Sequence, residues 1–291
     1  MIRVGSRDSR LAVVQAEEVC RALGDCELIT MKTTGDMVLD KTLDKVGGKG
    51  LFVKELDRAL AERRVDLTVH SLKDVPMEQP DGLPLVAFTK RADARDVLVL
   101  PEGGLWDKTK PIGCASARRR VQLKALFPDI DVQPVRGNVQ TRLNKLESGA
   151  YGALVLAAAG LHRLGLQDRI SRYFSPDEII PAAGQGILVV QSRTGEWEDK
   201  VRLVDDADAR DCAIAERSFI KTLGGGCFAP VAAYAEVQGD TLHLRGLYVT
   251  EDEQHMARGA VTGRRTEAAA LGRTLALQLK HQAEGKLWQE R

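Results

Sequence analysis

The segment TVHSLKDVP, residues 68–76, is central to the predicted fold of this chain. We predict a short β-branched strand over RVDLTV, residues 64–69, that stops in a run of polar residues closed by a proline. Polar groups at the carboxyl end of a strand in an open α/β sheet usually face the crevice in which ligands bind. Ser71, Lys73 and Asp74 are therefore candidates for chemistry. The alternative is a simple turn in which Asp74 caps a backbone amide.

Length and charge restrict the class of protein. A chain of 291 residues is long enough for two or three domains, each with its own core. The 42 basic and 41 acidic residues give a net charge of +1, which excludes a globally basic nucleic-acid binder but leaves room for a local basic site. We therefore expect no nucleic-acid partner.

The hydropathy pattern contains no membrane segment. The longest apolar run, residues 153–161, is far shorter than the roughly 20 residues that a bilayer helix needs. Near the N-terminus, Arg3 and Arg7 occupy positions where a signal peptide would have its apolar centre. We expect a cytoplasmic protein, with a form processed after targeting as the alternative.

The cysteines predict neither a metal site nor a disulfide framework. No pair has the CxxC spacing and none belongs to a histidine-rich cluster, so we expect mostly buried, reduced thiols and no bound metal. Cys20 and Cys212 fall on the apolar faces of predicted helices, as small hydrophobic residues do. The five are Cys20, Cys26, Cys114, Cys212 and Cys227.

Cys227 differs from the others because it lies in a predicted loop directly after three glycines. It follows the carboxyl end of a predicted helix, where the helix dipole raises the pKa of a thiol, and no histidine is near in sequence. A loop thiol without an activating base suits a covalent anchor better than a turnover nucleophile. The alternative is an incidental cysteine in a capped turn.

The order of predicted elements indicates an α/β and α+β fold. Two α/β lobes are joined by two hinge strands, one near the charged segment 90–95 and one over residues 179–187, and a small C-terminal α+β domain follows. The predicted boundaries are 1–90 plus 187–203 for lobe 1, 95–182 for lobe 2, and 206–291 for the C-terminal domain.

Basic side chains recur where predicted strands end and helices begin. Arg7 precedes a helix for which Ser9 is the predicted N-cap, and a helix N-terminus with a nearby cation suits an anion. Taken alone, Arg7 and the nearby Arg10 are explained at least as well as two solvated arginines. The densest group of basic residues begins at Arg118 and Arg119. Side chains at consecutive helical positions point in different directions, so the arginines of this group cannot all face one way.

A second basic group follows the next predicted strand. Arg136 precedes Asn138, and Arg142 lies about one helical turn beyond it, on the same side of the helix start. Arginine at such positions favours planar, bidentate recognition of carboxylate or phosphate. We therefore expect one or two guanidinium groups from each cluster to face the crevice.

Together, these segments resemble the porphobilinogen deaminase family, also called the hydroxymethylbilane synthase family. They follow the family's order over nearly the whole chain, and the ordered set is far more specific than any single match. The matching segments are VGSR (4–7) with Leu11, Ala12 and Gln15, GGKGLF (47–52), VHSLKDVP (69–76), Arg118 with Arg119, RGN (136–138) with TRL (141–143), AGL (159–161) with RLG (163–165), and GGC (225–227) with Pro230.

The resemblance implies a fold and an activity. The family's first two domains are similar to two-lobed periplasmic binding proteins. The implied reaction joins four porphobilinogen molecules head to tail, with loss of ammonia, to hydroxymethylbilane. It implies a dipyrromethane cofactor held by a thioether to Cys227, with Asp74 as the catalytic carboxylate. Residues 47–50 would form a lid over the cleft.

These residue types make chemical sense for that reaction. Loss of ammonia from porphobilinogen leaves an electron-poor azafulvene, so the site needs an acid for the amine and a negative charge beside the developing cation. The acetate and propionate of each pyrrole need cationic partners when they are buried. The predicted cofactor- and substrate-binding residues are Arg7, Ser9, Lys49, Ser71, Lys73, Ser116, Arg118, Arg119, Arg136, Asn138, Arg142, Arg163 and Gln185.

The chain departs from the family pattern at three sites, one of which is a third arginine, Arg120, that extends the pair Arg118 and Arg119 and whose simplest interpretation is a solvated side chain. CASA, residues 114–117, replaces the family's usual Thr-Ser-Ser-Leu, which removes two hydroxyl groups and leaves Ser116 as the expected cofactor contact. Phe228 follows the anchor cysteine, where a smaller or polar residue is common.

Two other functions remain open at this point. A non-catalytic two-lobed binding protein for a small polyanion would use the same arginines but would need neither Asp74 nor Cys227. A cysteine-dependent acyltransferase would need a reactive thiol at Cys227. For the synthase we expect porphobilinogen as the substrate and a monomeric, cytoplasmic enzyme.

Overall fold

A computed structural model describes residues 1–37, 50, 53–224 and 230–285. The chain divides into two compact units. Unit 1 is Met1–Ala92 with Gly186–Arg210, and unit 2 is Asp93–Gln185 with Asp211–Arg291. The division into three domains at the predicted boundaries stays a prediction.

Unit 1 is built on a five-stranded mixed sheet. Its strands are β1 (Ile2–Arg7), β2 (Cys26–Met31), β3 (Leu67–Ser71), β4 (Leu85–Phe88) and β10 (Leu188–Ser192), in the order β2-β1-β3-β10-β4. β1 is parallel to both β2 and β3, whereas β10 is antiparallel to β3 and β4. All five residues of β10 are buried, as expected for a strand with neighbours on both sides.

The helices of unit 1 cover this sheet. They are α1 (Arg10–Leu23), α2 (Thr34–Met37), α3 (Lys54–Ala61) and α7 (Glu198–Val201), with short 3₁₀ helices at Leu72–Asp74 and Arg202–Val204. Helical spacing puts Ala16, Val19 and Leu23 on one buried face of α1, where they pack with Val4 and Val69 of the sheet. This apolar layer holds α1 against β1 and β3.

The predicted bounds of the strand over residues 64–69 were wrong. The observed strand, β3, begins at Leu67 and extends to Ser71. Residues 62–65 instead complete the end of α3. The amide groups of Arg64 and Val65 both donate to Ala59 O, and Arg63 adopts a left-handed φ of 58°. Hydrogen bonds that close a helix are not available to a sheet, so the strand starts later.

Unit 2 contains a second five-stranded sheet. Its strands are β5 (Asp96–Val99), β6 (Ile112–Cys114), β7 (Val132–Pro134), β8 (Ala153–Ala157) and β9 (Ile170–Tyr173), in the order β7-β6-β8-β5-β9. Its helices are α4 (Ala117–Leu126), α5 (Val139–Glu147) and α6 (Ala158–Arg163), with a 3₁₀ helix at Gln167–Arg169. β6 is parallel to β7 and β8, and β5 is antiparallel to β8.

The two five-stranded sheets have the same plan. In each, three neighbouring parallel strands are followed by one antiparallel strand and an edge strand. The antiparallel strand comes from a distant part of the chain in unit 1, where β10 lies between β3 and β4. The predicted class of two α/β lobes followed by a small α+β domain is confirmed.

The C-terminal part of unit 2 is a three-stranded antiparallel sheet with two long helices. The strands are β11 (Ala232–Gln238), β12 (Thr241–Val249) and β13 (Met256–Arg264), and the helices are α8 (Ala207–Thr222) and α9 (Ala268–Ala283), with a 3₁₀ helix at Arg265–Glu267. Gly246 of β12 lies so close to Phe219 and Leu275 that a β-carbon there would meet Phe219 at 2.6 Å. The sheet therefore packs tightly on both helices.

Residues 179–187 do not form the predicted strand, although the boundary between the two units falls among them, between Gln185 and Gly186. Residues 183–186 form a turn, with positive φ angles of 75° at Gly184 and 89° at Gly186, and β10 begins only at Leu188. Within unit 2, the buried carboxylate of Glu216 accepts the amide of Gly184 and the amide of Ala235, both at 2.7 Å. The turn is thus tied to α8 and β11.

Candidate active site

Asp74 lies just beyond the end of β3. Ser71 is the last residue of that strand, and Asp74 is the last residue of the following 3₁₀ turn, which Val75 N closes by donating to Leu72 O at 3.1 Å. Leu72 is buried and anchors the turn, while Asp74 is half-buried. Within the described ranges, no hydrogen bond or ion pair holds the Asp74 carboxylate. The alternative interpretation, a backbone cap made by Asp74, is therefore not what forms.

Arg7 and Ser9 lie at the same edge of this sheet. β1 and β3 are adjacent and parallel, with Gly5 opposite Thr68, so their carboxyl ends lie side by side. Arg7 ends β1, and Ser9 occupies the N-cap position of α1 without a side-chain capping hydrogen bond. The predicted capping role of Ser9 is thus limited to its backbone position. Unit 1 brings Arg7, Ser9, Ser71, Lys73 and Asp74 to one edge.

His70 lies inside unit 1 next to this edge. Its Nε2 atom is 2.9 Å from Oγ1 of Thr68, and its side chain is buried. Burial, with a smaller effect from the charge of Arg7, lowers the pKa of His70 to about 4. The imidazole is therefore neutral at physiological pH.

In unit 2, the strand ends gather the other predicted donors at one edge. β6, β7 and β8 are parallel, so α4 and α5 start side by side after β6 and β7. Ser116 caps α4 by accepting Arg119 N at 3.4 Å, and Asn138 caps α5 by accepting Thr141 N at 2.9 Å. Both are good N-caps, and their helices carry exposed N-terminal dipoles toward this edge.

Arg118 and Arg119 are not solvated but buried against Asp96. Oδ2 of Asp96 lies 2.7 Å from Nη1 of Arg118, and Oδ1 accepts Nε and Nη2 of Arg119 at 3.1 and 2.7 Å. Gln185 Nε2 adds a fourth donor, 2.8 Å from Oδ1. The structure thus brings three predicted site residues, Arg118, Arg119 and Gln185, onto one carboxylate.

The charges of this cluster are strongly coupled. Burial of Asp96 disfavours its charged form, but the nearby guanidinium groups of Arg118 and Arg119 outweigh this effect and hold the pKa of the carboxyl well below its ordinary value. Burial also lowers the pKa of Arg118, which the charge of Asp96 opposes. With two cations and one anion, the cluster keeps a net positive charge.

Three further predicted arginines follow the same strands. Arg142, on the first turn of α5, donates from Nε to Gly137 O at 2.7 Å, which holds its side chain at the helix start. Arg136 precedes that turn, and its carbonyl oxygen accepts Lys145 Nζ at 3.2 Å. Arg163 is the last residue of α6, the helix that follows β8. Lys49 and Cys227, together with most of the predicted lid, lie outside the described residues.

The remaining sequence predictions concern thiols, metals and membranes. Cys20, Cys26, Cys114 and Cys212 carry free thiols, of which Cys114 and Cys212 are buried. In the part of the chain that the structure describes, no group of three or more acidic, histidine or cysteine side chains could hold a metal ion. Over the same ranges, no helix has the length and apolar character needed to cross a bilayer.

The sequence matches two family models over most of its length. Residues 2–200 match "Porphobilinogen deaminase, dipyromethane cofactor binding domain", and residues 211–281 match "Porphobilinogen deaminase, C-terminal domain". The chain belongs to the porphobilinogen deaminase family. It is therefore a transferase of tetrapyrrole biosynthesis that releases ammonia from porphobilinogen, and its family's cofactor is dipyrromethane.

Individual relatives agree with this assignment. Porphobilinogen deaminase of Ruminiclostridium josui is 52% identical over 285 residues, covering 96% of this chain and 97% of the relative. Porphobilinogen deaminase of Chromobacterium violaceum is 45% identical over 295 residues, covering 96% and 94%.

Among solved structures, the chain is similar to an arginine-specific periplasmic binding protein of Salmonella typhimurium, with 14% identity and a TM-score of 0.36 over 70% of this chain and 89% of that one.

The donors in unit 2 fit a ligand that carries several carboxylates. Guanidinium groups, a hydroxyl N-cap and an amide N-cap meet at one sheet edge, and these groups recognise carboxylate oxygens in proteins. Nε of Arg118 is buried and has no hydrogen-bond acceptor among the described residues. Dipyrromethane carries acetate and propionate side chains, which are acceptors of the kind that these donors bind.

Proposed function

We propose that this chain condenses four porphobilinogen molecules to hydroxymethylbilane, with Asp74 as the catalytic carboxylate and Cys227 as the anchor of the dipyrromethane primer. The enzyme acts as a monomer in the cytoplasm. Lobe 1 (residues 1–90 plus 187–203) supplies the carboxylate, lobe 2 (95–182) supplies most of the arginines, and the C-terminal domain (206–291) carries the anchor. Family membership supports the reaction.

The observation that carries the role of Asp74 is its unpartnered carboxylate at a strand end. Among the described residues it makes no hydrogen bond or ion pair, although it is half-buried. Leaving a half-buried carboxylate without a partner costs stability, and such sites are often kept for function. Asp74 can hold a proton toward the amine that leaves porphobilinogen and then face the positive charge that develops on the pyrrole.

The basic residues bind the side-chain carboxylates of the pyrroles. In unit 1, Arg7 and Lys73 flank Asp74, with Ser9 and Ser71 as hydroxyl donors at the same edge. In unit 2, the proposed contacts are Ser116, Arg118, Arg119, Arg136, Asn138, Arg142, Arg163 and Gln185. When bound, the dipyrromethane supplies the nucleophilic pyrrole carbon on which the chain of pyrroles grows. Fixed guanidinium partners orient each carboxylate without a change in net charge during turnover.

Cys227 and Lys49 complete the proposal. Three glycines precede Cys227 in the sequence. Because glycine has no side chain, a bulky group can come close to the backbone there, which suits a thiol that bonds covalently to such a group. Lys49 sits in the glycine-rich stretch proposed as a lid, from which its ammonium group would reach a substrate carboxylate.

The test is a direct assay of the purified protein with porphobilinogen. The proposal predicts release of one ammonia for each porphobilinogen consumed and accumulation of a product that closes, with loss of water, to uroporphyrinogen I without a further enzyme. A protein that binds porphobilinogen but leaves its concentration unchanged over many hours would be the polyanion-binding alternative instead. A protein whose turnover requires an acyl donor would be an acyltransferase.

A further inference from the structure

Asp96 is a buried carboxylate to which the reaction assigns no role. It is the first residue of β5 and has 0% exposure, while Arg118, Arg119 and Gln185 are exposed by only 4%, 5% and 1%. All the donors described above converge on its two oxygens, so each oxygen is satisfied by charged or amide N–H groups. In the sequence, the signal for Asp96 is an acidic residue between a charged crossover and an apolar strand, which does not reveal its partners.

The topology puts Asp96 at the binding edge of the sheet. β5 is antiparallel to β8, and Asp96 lies opposite Ala157, the last residue of β8. The start of β5 therefore lies next to the carboxyl end of β8, at the sheet edge where β6 and β7 also end and where the predicted carboxylate ligands bind. An acidic group at an anion-binding edge works against the ligand unless it has another purpose.

The hydrogen bonds of the two arginines suggest that purpose. Arg119 uses Nε and Nη2 on Asp96 and Nη1 on Val155 O, at 3.2 Å, so its guanidinium plane is fixed on three sides. Arg118 uses Nη1 on Asp96 and on Ile180 O, both at 2.7 Å. A guanidinium group carries five N–H donors, so each arginine retains donors beyond those that hold it.

We propose that Asp96 is a positioning residue, whose carboxylate fixes the guanidinium groups of Arg118 and Arg119 in the orientation from which they bind the carboxylates of the pyrroles. The identity of that ligand rests on the proposed function, but the positioning itself does not. The carboxylate of Asp96 neutralises one of the two positive charges, so the cluster presents a rigid donor surface with one net positive charge. Without it, two buried guanidinium groups would repel each other and turn away.

A purely structural role for Asp96 makes a different prediction, and unit 1 offers a matched control. Asp66 is also a largely buried aspartate that faces two arginines, with Oδ1 2.8 Å from Nη2 of Arg3 and 3.6 Å from Nη2 of Arg193. It precedes β3 and therefore lies at the opposite end of that strand from Ser71 and Asp74. Asp66→Asn loses the same kind of ion pair away from the proposed binding edge.

The first test compares Asp96→Asn with Asp66→Asn as purified holoproteins. Both variants should melt at a lower temperature than the wild type. We expect Asp96→Asn alone to raise KM for porphobilinogen about tenfold, the scale of one lost charged hydrogen bond, with kcat within about threefold of wild type. A wild-type KM in Asp96→Asn, or an equal rise in both variants, would overturn the positioning role.

The second test needs no turnover and separates this proposal from the proposed function. In a Cys227→Ser background, citrate serves as a soluble tricarboxylate probe against sodium chloride of equal ionic strength. Citrate should raise the melting temperature of the parent and of its Asp66→Asn variant but not that of its Asp96→Asn variant. If citrate stabilises the parent and its Asp96→Asn variant equally, Asp96 does not position the arginines, whatever reaction the enzyme performs. If the parent itself gains nothing from citrate, the edge has no carboxylate site and the inference also fails.

Gln185→Met provides a milder variant in case Asp96→Asn does not fold. It removes one neutral donor from Asp96 Oδ1 and leaves all three charges in place. KM should rise about threefold, less than for the loss of the charged group. An unchanged KM in a folded Gln185→Met protein would contradict the proposed dependence on this carboxylate cluster.

Discussion

The imidazole of His70 and the hydroxyl of Thr68 form a buried hydrogen-bonded pair, with Nε2 2.9 Å from Oγ1. The two residues lie two positions apart on β3, so their side chains share one face of the sheet. The strand that ends beside Asp74 therefore has a neutral polar interior. A charge at His70 would be buried and close to Arg7, which is why its pKa falls to about 4.

This pair predicts an acid-sensitive lobe. A histidine with a folded pKa of about 4, against an ordinary value of 6.5, binds a proton more readily in the unfolded chain. Its contribution to stability is complete above pH 6.5 and is lost as the pH falls toward 4, by about 3 kcal/mol in total. His70→Gln should show a shallower loss of unfolding free energy over this range in urea titrations. Identical slopes for the variant and the wild type would contradict the buried, neutral state of His70.

Replacement of the Asp74 carboxylate should abolish turnover while leaving the fold intact. Asp74→Asn keeps the shape of the side chain but can neither hold the proton nor face a cation, so kcat should fall by about 10³-fold. The melting temperature and the bound cofactor should stay as in the wild type. Asp81→Asn, at an exposed turn of the same unit, serves as the control and should keep full activity. Rates near those of the wild type in Asp74→Asn would remove Asp74 from the mechanism.

The two helix caps at the binding edges should differ in their effect on stability. Asn138 accepts Thr141 N at 2.9 Å, whereas Ser9 makes no side-chain capping hydrogen bond. Asn138→Ala should therefore lower the free energy of unfolding by about 1 kcal/mol, and Ser9→Ala by less than about half of that. Thermal denaturation of both variants, followed by circular dichroism, provides the comparison. Equal losses would mean that the caps contribute through something other than these hydrogen bonds.

Glu216 should be intolerant even of an isosteric change. Its two oxygens accept the amides of Gly184 and Ala235, so a glutamine would turn an N–H₂ group toward one of these donors. Glu216→Gln should cost about 1–3 kcal/mol of unfolding free energy, because a buried donor loses its acceptor. Glu251→Gln, on an exposed turn of the same unit, should be neutral. Urea denaturation distinguishes the two, and a neutral Glu216→Gln would show that the turn does not depend on this carboxylate.

The sequence predicted the parts of the fold that local patterns encode. The helical spacing of Ala16, Val19 and Leu23 in α1 can be recognised from residue order alone. The clustering of Arg118 and Arg119 near a strand end could also be predicted, because strand-helix order fixes which residues follow each strand. These signals depend on residues that are close in sequence, so they can be recognised without a structure.

The missed features depend on partners that are distant in sequence. Asp96 finds Arg118 and Arg119 more than twenty residues away, and Glu216 finds Gly184 through the packing of α8 on the crossover turn. An acidic residue that begins an apolar run was the available signal for Asp96. The prediction of a strand over residues 179–187 was wrong for a related reason. The glycines of this segment adopt positive φ angles and form a turn, which is held by hydrogen bonds to residues distant in sequence.

The most direct measurement is the intact mass of the denatured wild-type protein, purified from cells that make porphobilinogen, beside that of Cys227→Ser. We predict that the wild type exceeds its sequence mass by one dipyrromethane and that Cys227→Ser lacks this excess. A wild type at its bare sequence mass, or an excess that persists in Cys227→Ser, would contradict a primer anchored at this cysteine.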